Sequence, residues 1–224
     1  MKSVCCDALG TLIDISSIST QLEQRYPEQG IRIADLWRTR QIDYSRLRAL
    51  GGQYKPFGKI TRDALEATFL ELRIVYSQHD LDTAMGQYLH GVAFPDARNF
   101  LNELQVPWSI LTNGDRDFIR PILNNAGIDC PDTHLLTSDQ VETFKVDQRM
   151  YELTWSWAQR SGTTLKSDVI FVSANQWDAI AASWFGFTSC WINRNGQSPE
   201  KLGASPLVEV SSMSEIANHV NLNL

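Results

Sequence analysis

Short apolar runs alternate with helical stripes over most of the chain. Residues 2–6 read as a short buried strand, and a turn follows at Gly10. Beyond Phe94-Pro95-Asp96, Pro95 suits the first turn of a helix reaching about Leu104. Trp108-Ser109-Ile110-Leu111 is a second strand, ending at Thr112-Asn113-Gly114, and a helix over 116–126 is closed by Gly127. His134-Leu135-Leu136-Thr137 predicts a strand, and a helix from about Gln148 to Arg160 is ended by Gly162. Asp168-Val169-Ile170-Phe171-Val172 predicts another strand, before a helix over 177–185 that Gly186 stops. Ser189-Cys190-Trp191-Ile192 and Val208-Glu209-Val210 predict two more strands, the latter at an edge, with a final helix behind them.

The stretch from about 15 to 92 breaks this rhythm. It reads as mostly helical, with Leu36, Ile42, Leu47 and Leu50 on one stripe and Ala64, Leu65, Phe69 and Leu72 on another. Gly51-Gly52 and Lys55-Pro56 punctuate it. Strands alternating with helices predict an α/β fold with a Rossmann-like parallel sheet and helices on both faces. The helical stretch predicts an inserted all-helical cap over 15–92, set into a core of residues 1–14 and 93–224.

Composition narrows the function. The chain has 224 residues, 43% of them hydrophobic, enough for a core domain with an insert. A net charge of −6 with no basic block argues against nucleic acid, whose phosphates demand a basic face. No apolar run is long enough for a transmembrane helix, and the sequence starts directly on a strand-like segment, so a cytoplasmic protein without membrane contact is expected. Cys5, Cys6, Cys130 and Cys190 lack metal spacing and read as reduced, buried thiols. His79, His90, His134 and His219 are scattered, and no metal or other cofactor is expected. Trp155, Trp157, Trp184 and Trp191 read as packing residues.

In a sheet of this kind ligands bind at the carboxyl ends of the strands. Asp7, Thr112, Asn113, Ser173 and Asn175 all fall at predicted strand ends, Asp178 begins a helix, and Lys145 lies in a loop before one. Each alone suits a turn, a cap or a solvated surface. Together they suit nucleophilic catalysis: a carboxylate attacks without a base, and a lysine pairs it in a dry pocket.

These residues resemble the haloacid dehalogenase superfamily. Asp7-Ala8-Leu9-Gly10-Thr11-Leu12 resembles its D-x-x-G-T-L motif, Leu111-Thr112-Asn113-Gly114 its second motif, and Lys145 its lysine. The stretch from Phe171 to Ala179, with Phe185-Gly186-Phe187 and Cys190 to Arg194, is similar to the branch that acts on L-2-haloacids. Leu36 to Tyr44 resembles that branch's W-R-x-K-Q-x-x-Y segment. The resemblance implies that Asp7 attacks C2 and expels halide, leaving an ester, with inversion from L-haloacid to D-hydroxyacid. Thr11 would orient Asp7 and Lys145 would pair with it. Arg38 and Asn113 would receive the halide beside Trp177, Thr112 would hold the substrate carboxylate, and Tyr151 would support the site. Ser173, Asn175 and Asp178 would position the hydrolytic water. Leu9, Thr39, Ile42 and Phe57 would line the substrate pocket. A 2-haloacid, the halide product and a second copy of the chain are the implied partners, with the Trp155–Trp157 helix as the dimer contact.

The chain departs from the branch at Leu9 (usually Tyr), Thr39, Ile42, Arg40 (usually Lys), Arg46 (a common Trp) and Val146 (usually Pro), and the changes at Leu9 and Thr39 bear on substrate range. Two other readings compete. A phosphatase on the same fold resembles D-x-D at the first motif, but Leu9 cannot transfer a proton, and Asp178 with Ser173 and Asn175 is a weak magnesium set. A non-catalytic binder of a small acid or a partner protein would not need Asp7, Arg38, Lys145, Asn175 and Asp178 together.

Overall fold

In the computed structural model, which describes residues 1–220, the chain opens with β1 (Ser3–Cys6) and a two-residue strand β2 (Ile13–Asp14). Four helices follow: α1 (Ser17–Arg25), α2 (Gly30–Gly51), α3 (Phe57–Glu71) and α4 (Gln78–Gly86). A 3₁₀ turn at Gln87–His90 leads into β3 (Val92–Ala93). The chain then runs through α5 (Pro95–Glu103), β4 (Trp108–Thr112), α6 (Arg116–Asn125), β5 (Leu135–Thr137) and α7 (Gln148–Arg160). It continues with β6 (Val169–Ser173), α8 (Gln176–Phe185), β7 (Thr188–Ile192), β8 (Val208–Val210) and α9 (Ile216–Val220).

Six strands form one sheet in the order β5-β4-β1-β6-β7-β8, every neighbouring pair parallel. The chain steps outward from β1 through β4 to β5, then returns to β6 and steps outward the other way. Order therefore reverses around β1, which puts the ligand crevice at its carboxyl end. Both faces are covered, so the central strands β1 and β6 are buried along their length, and alternate residues enter different cores. Val4 and Cys6 join α5, α6 and α9 on one face, while Cys5 joins α7 and α8 on the other. All four cysteines are buried free thiols.

The helical stretch falls between β2 and β3, which pair antiparallel as Ile13 with Ala93 and Asp14 with Val92. The sequence did not announce this ribbon, because two-residue strands carry no periodicity. One expected stripe is corrected. On α2 the buried residues are Ile33, Trp37, Gln41 and Ser45, whereas Leu47 is 64% and Leu50 87% exposed. The helix buries an i, i+4 row that includes two polar residues, which a search for apolar periodicity passes over. Ala64, Leu65 and Phe69 of the expected α3 stripe are buried, while Leu72 falls at the C-cap and is half-buried.

Of the tryptophans expected to pack, Trp157 and Trp191 are buried as expected and Trp184 is not. Trp157 is 3% exposed and packs inside the α7–α8 core, so Trp155 and Trp157 do not form one outward face. Trp184, expected to pack, is 54% exposed. Among the described residues no helix is long and apolar enough to cross a membrane.

Candidate active site

The carboxyl ends of β1, β4 and β6 converge on Asp7. Its backbone N–H still donates to the Val172 carbonyl at 2.9 Å, so the residue sits where the ladder ends. Its side chain is 10% exposed, and the carboxylate accepts from Lys145 Nζ at 2.9 Å on Oδ1. Oδ2 accepts from the Thr11 hydroxyl at 3.0 Å, Asn175 Nδ2 at 3.0 Å and, more weakly, the Ser173 hydroxyl at 3.5 Å. The Thr11 hydroxyl in turn accepts from the Ala174 N–H at 2.8 Å, which ties the turn after β1 to the end of β6.

Lys145 is 1% exposed and bridges two carboxylates, donating also to Asp178 Oδ2 at 2.8 Å. Asp178 lies in the first turn of α8, fully buried, and its Oδ1 accepts from the Tyr151 hydroxyl at 2.7 Å. Burial pulls the Lys145 ammonium toward its neutral form, but the flanking Asp178 and Asp7 charges outweigh it and hold the group above its ordinary range. Burial raises Asp178, opposed by Lys145 and reinforced by Asp7. Burial and then the Asp178 charge push Tyr151 well up, so it remains a phenol that donates. Tyr151 stands behind the site as Asp178's partner and lines neither of the cavities in front of it.

Asn113, just past β4, accepts from the Lys145 N–H at 2.8 Å through its Oδ1, which leaves its amide N–H₂ for the pocket. Thr112 accepts from the Gly114 N–H at 3.1 Å, and its own hydroxyl proton remains available.

Between the helical insertion and the sheet lie two adjoining cavities. The inner one, about 20 Å³, is lined from the sheet by Asp7, Thr112, Asn113, Lys145 and Asn175. From the insertion come Arg38, Ile42, Ser45 and Phe57. Leu9, Arg38, Ile42, Asn175 and Trp177 also line the outer cleft of about 1070 Å³, so these five mark the passage between the two. Thr39 is exposed and lies on the outer cleft. The Arg46 guanidinium stacks 4.5 Å over the Trp177 ring, joining α2 to α8 across the mouth.

The sequence-predicted residues thus gather in one place, except Tyr151, which reaches it through Asp178, and Thr39, which sits outside the inner chamber. Sequence reading assigned no role to Gln41, Ser45 or Asp115. The usable signal for Gln41 and Ser45 was the four-residue repeat Trp37, Gln41, Ser45. Among the described residues no group of three or more His, Cys, Asp or Glu side chains could hold a metal ion. The basic group between Asp7 and Asp178 is instead Lys145. What the arrangement offers is an oriented carboxylate, a buried cation beside it, and Arg38 lining the same small chamber from the helical insertion.

A family model described as haloacid dehalogenase-like hydrolase matches residues 1–186. The (S)-2-haloacid dehalogenase 2 of Pseudomonas sp. (strain CBS-3) is 35% identical over 224 residues, covering 99% of this chain and 96% of that protein. A crystal structure of an L-2-haloacid dehalogenase superposes with a TM-score of 0.91 at 36% identity, covering 99% of each chain. The L-2-haloacid dehalogenase from Xanthobacter autotrophicus with chloropropionic acid covalently bound gives a TM-score of 0.87 at 30% identity, covering 99% of this chain and 98% of that one.

Proposed function

Since the chain belongs to the haloacid dehalogenase-like hydrolases, we propose that it hydrolyses short-chain L-2-haloacids to D-2-hydroxyacids through an ester on Asp7. The observation that carries this reading is the Asp7 carboxylate, paired with Lys145 and facing a chamber that Arg38 and Asn113 also line. In this reading residues 15–92 act as a cap closing over the core of 1–14 and 93–224.

An Asp7 oxygen attacks C2 from the side opposite the halogen. The carbon–halogen bond breaks with its electron pair, and the halide departs toward Arg38 and the free Asn113 amide. A developing anion is stabilised strongly by a fixed cation where water is sparse. Thr112 donates its spare proton to the substrate carboxylate, and the apolar walls of Leu9, Ile42, Phe57 and Trp177 enclose the carbon skeleton. Backside attack inverts C2. Water, positioned by Ser173, Asn175 and Asp178, then attacks the ester carbonyl of Asp7. That step returns the carboxylate, releases the hydroxyacid and leaves one proton to accompany the halide. Lys145 pairs with Asp7 before attack, and the Tyr151 hydroxyl holds Asp178. The relative that carries covalently bound chloropropionic acid supports an enzyme-bound intermediate here.

The test is halide release from L-2-chloropropionate in the presence of EDTA, with wild-type and Asp7→Asn protein side by side. Release by the wild type that ignores EDTA and vanishes in the variant is the expected result. Equal release by both proteins, or dependence on an added divalent cation, would refute the mechanism.

A further inference from the structure

Gln41 lies on α2 three residues beyond Arg38, and its side chain is fully buried. A buried amide without partners costs roughly 1–3 kcal/mol; this one has three. Its Oε1 accepts from Arg38 Nη1 at 2.6 Å. Its Nε2 donates to the Thr61 hydroxyl at 2.7 Å and to the Tyr88 hydroxyl at 3.0 Å. The direction of each bond is forced by chemistry. A guanidinium only donates, so the amide oxygen must face it. Thr61 directs its own proton to the Phe57 carbonyl at 2.8 Å, so toward Gln41 it accepts.

The partners come from separate segments. Thr61 is on α3 one turn beyond Phe57, which lines the inner chamber, and its carbonyl also accepts from the Trp37 indole at 2.7 Å. Tyr88 belongs to the 3₁₀ turn that returns the chain to the sheet, and it packs edge-on against Trp37 and against Phe118 of α6. One amide therefore ties the guanidinium to the chamber wall, to the returning segment and, through Tyr88 and Phe118, to the sheet side.

We propose that Gln41 is a positioning residue for Arg38, holding the guanidinium over the inner chamber while leaving its charge whole; this rests on the reading of Arg38 as the acceptor of the departing halide. Neutrality is the point of the amide. A glutamate here would bind the guanidinium more strongly, but its negative charge would cancel the attraction that a leaving anion needs. An apolar residue of the same length would leave the charge and free the side chain to wander. Only a neutral acceptor does both jobs.

The experiment is a double-mutant cycle read as kcat and KM for halide release from L-2-chloropropionate and L-2-bromopropionate, with folding checked by circular dichroism. The proteins are wild type, Gln41→Met, Gln41→Glu, Tyr88→Phe, Arg38→Ala and the Arg38→Ala/Gln41→Met double variant. Gln41→Met is expected to lose about ten-fold or more in kcat, the scale of a misplaced catalytic group. The chloro substrate, with the poorer leaving group, suffers more than the bromo one. Gln41→Glu loses at least as much, although it still bonds to Arg38. Tyr88→Phe, which keeps the ring packing, loses less in the same direction. In the Arg38→Ala background Gln41→Met lowers kcat no further, because the effect of Gln41 on turnover runs through Arg38. Losses that multiply in the double variant, or a Gln41→Glu protein with wild-type kcat, overturn the proposal while leaving Arg38's role intact. An Arg38→Ala protein with wild-type turnover overturns the reading of Arg38 and the proposal with it.

Discussion

Lys145 is the residue on which the buried charges depend. Its ammonium is the shared donor to Asp7 and Asp178, both of them buried. Replacing it by methionine keeps the length and removes the cation. Breaking a buried ion pair from one side typically costs about 3–5 kcal/mol, because the remaining charge has no compensation. Lys145→Met should therefore lower the urea midpoint strongly as well as abolish halide release. An unchanged midpoint would mean that the two carboxylates take up protons or water without cost. Gln41 shows the opposite economy, a neutral group used where a charge would defeat its neighbour.

At the scale of elements, helix ends link the site to its surroundings. Pro56 precedes α3 with no side-chain cap of its own, and the Gly58 N–H is instead accepted by Asp115 of the β4–α6 turn at 3.0 Å. A carboxylate at a helix N-terminus also meets the positive end of the helix dipole. This turn thus supplies a cap to the helix that carries Phe57. Asp115→Ala should cost about 1 kcal/mol, as loss of a helix cap does, and raise KM through a looser Phe57 wall; denaturation curves and halide kinetics measure the two effects. On α4 the capping box is internal: Ser77 accepts from the Asp80 N–H at 3.3 Å, and Asp80 accepts from the Ser77 N–H at 2.8 Å. The Ser77 hydrogen bonds, with help from Arg25, lower Asp80 from 3.8 to about 2. A depressed acid contributes stability that is complete above its unfolded value and disappears as pH falls through the folded one. The contribution of Asp80 should hold above about pH 4 and fade toward about pH 2. Comparing acid unfolding of wild type and Asp80→Asn tests this, since the variant lacks that part of the pH dependence.

At the scale of the molecule, the site lies between two bodies of structure. The inner chamber, at about 20 Å³, has room for about one water. A haloacid is larger, and we predict that the helical insertion shifts against the sheet to admit it. A Cβ placed on Gly58 of α3 would stand 3.6 Å from the Phe118 Cβ of α6, within the spacing a disulfide needs. The Gly58→Cys/Phe118→Cys protein, once oxidised, should lose turnover and regain it with dithiothreitol. Full activity of the oxidised form would place the required motion elsewhere.

Much of the site was legible in the sequence because chemistry there depends on residue type at strand ends. Asp7 after Val4-Cys5-Cys6, and Ser173 after Val169 to Val172, follow from apolar runs that stop at a polar group. Gly127, Gly162 and Gly186, with φ values of 68°, 91° and 102°, ended their helices as expected, since a residue without Cβ adopts that backbone freely. The α2 stripe was misjudged because Gln41 is buried by the partners it finds on other segments, which local periodicity does not encode. Leu47 and Leu50 have apolar character but nothing to pack against. The covalent order of the chain was thus sufficient to set the alternation of elements and to place a carboxylate at the centre of a parallel sheet. Only tertiary structure brought Lys145 between Asp7 and Asp178, residues 138 and 33 positions away from it, and set Gln41 against Thr61 and Tyr88. Local patterns fix backbone conformation, whereas these contacts exist only where packing removes water and makes each buried polar group find a partner.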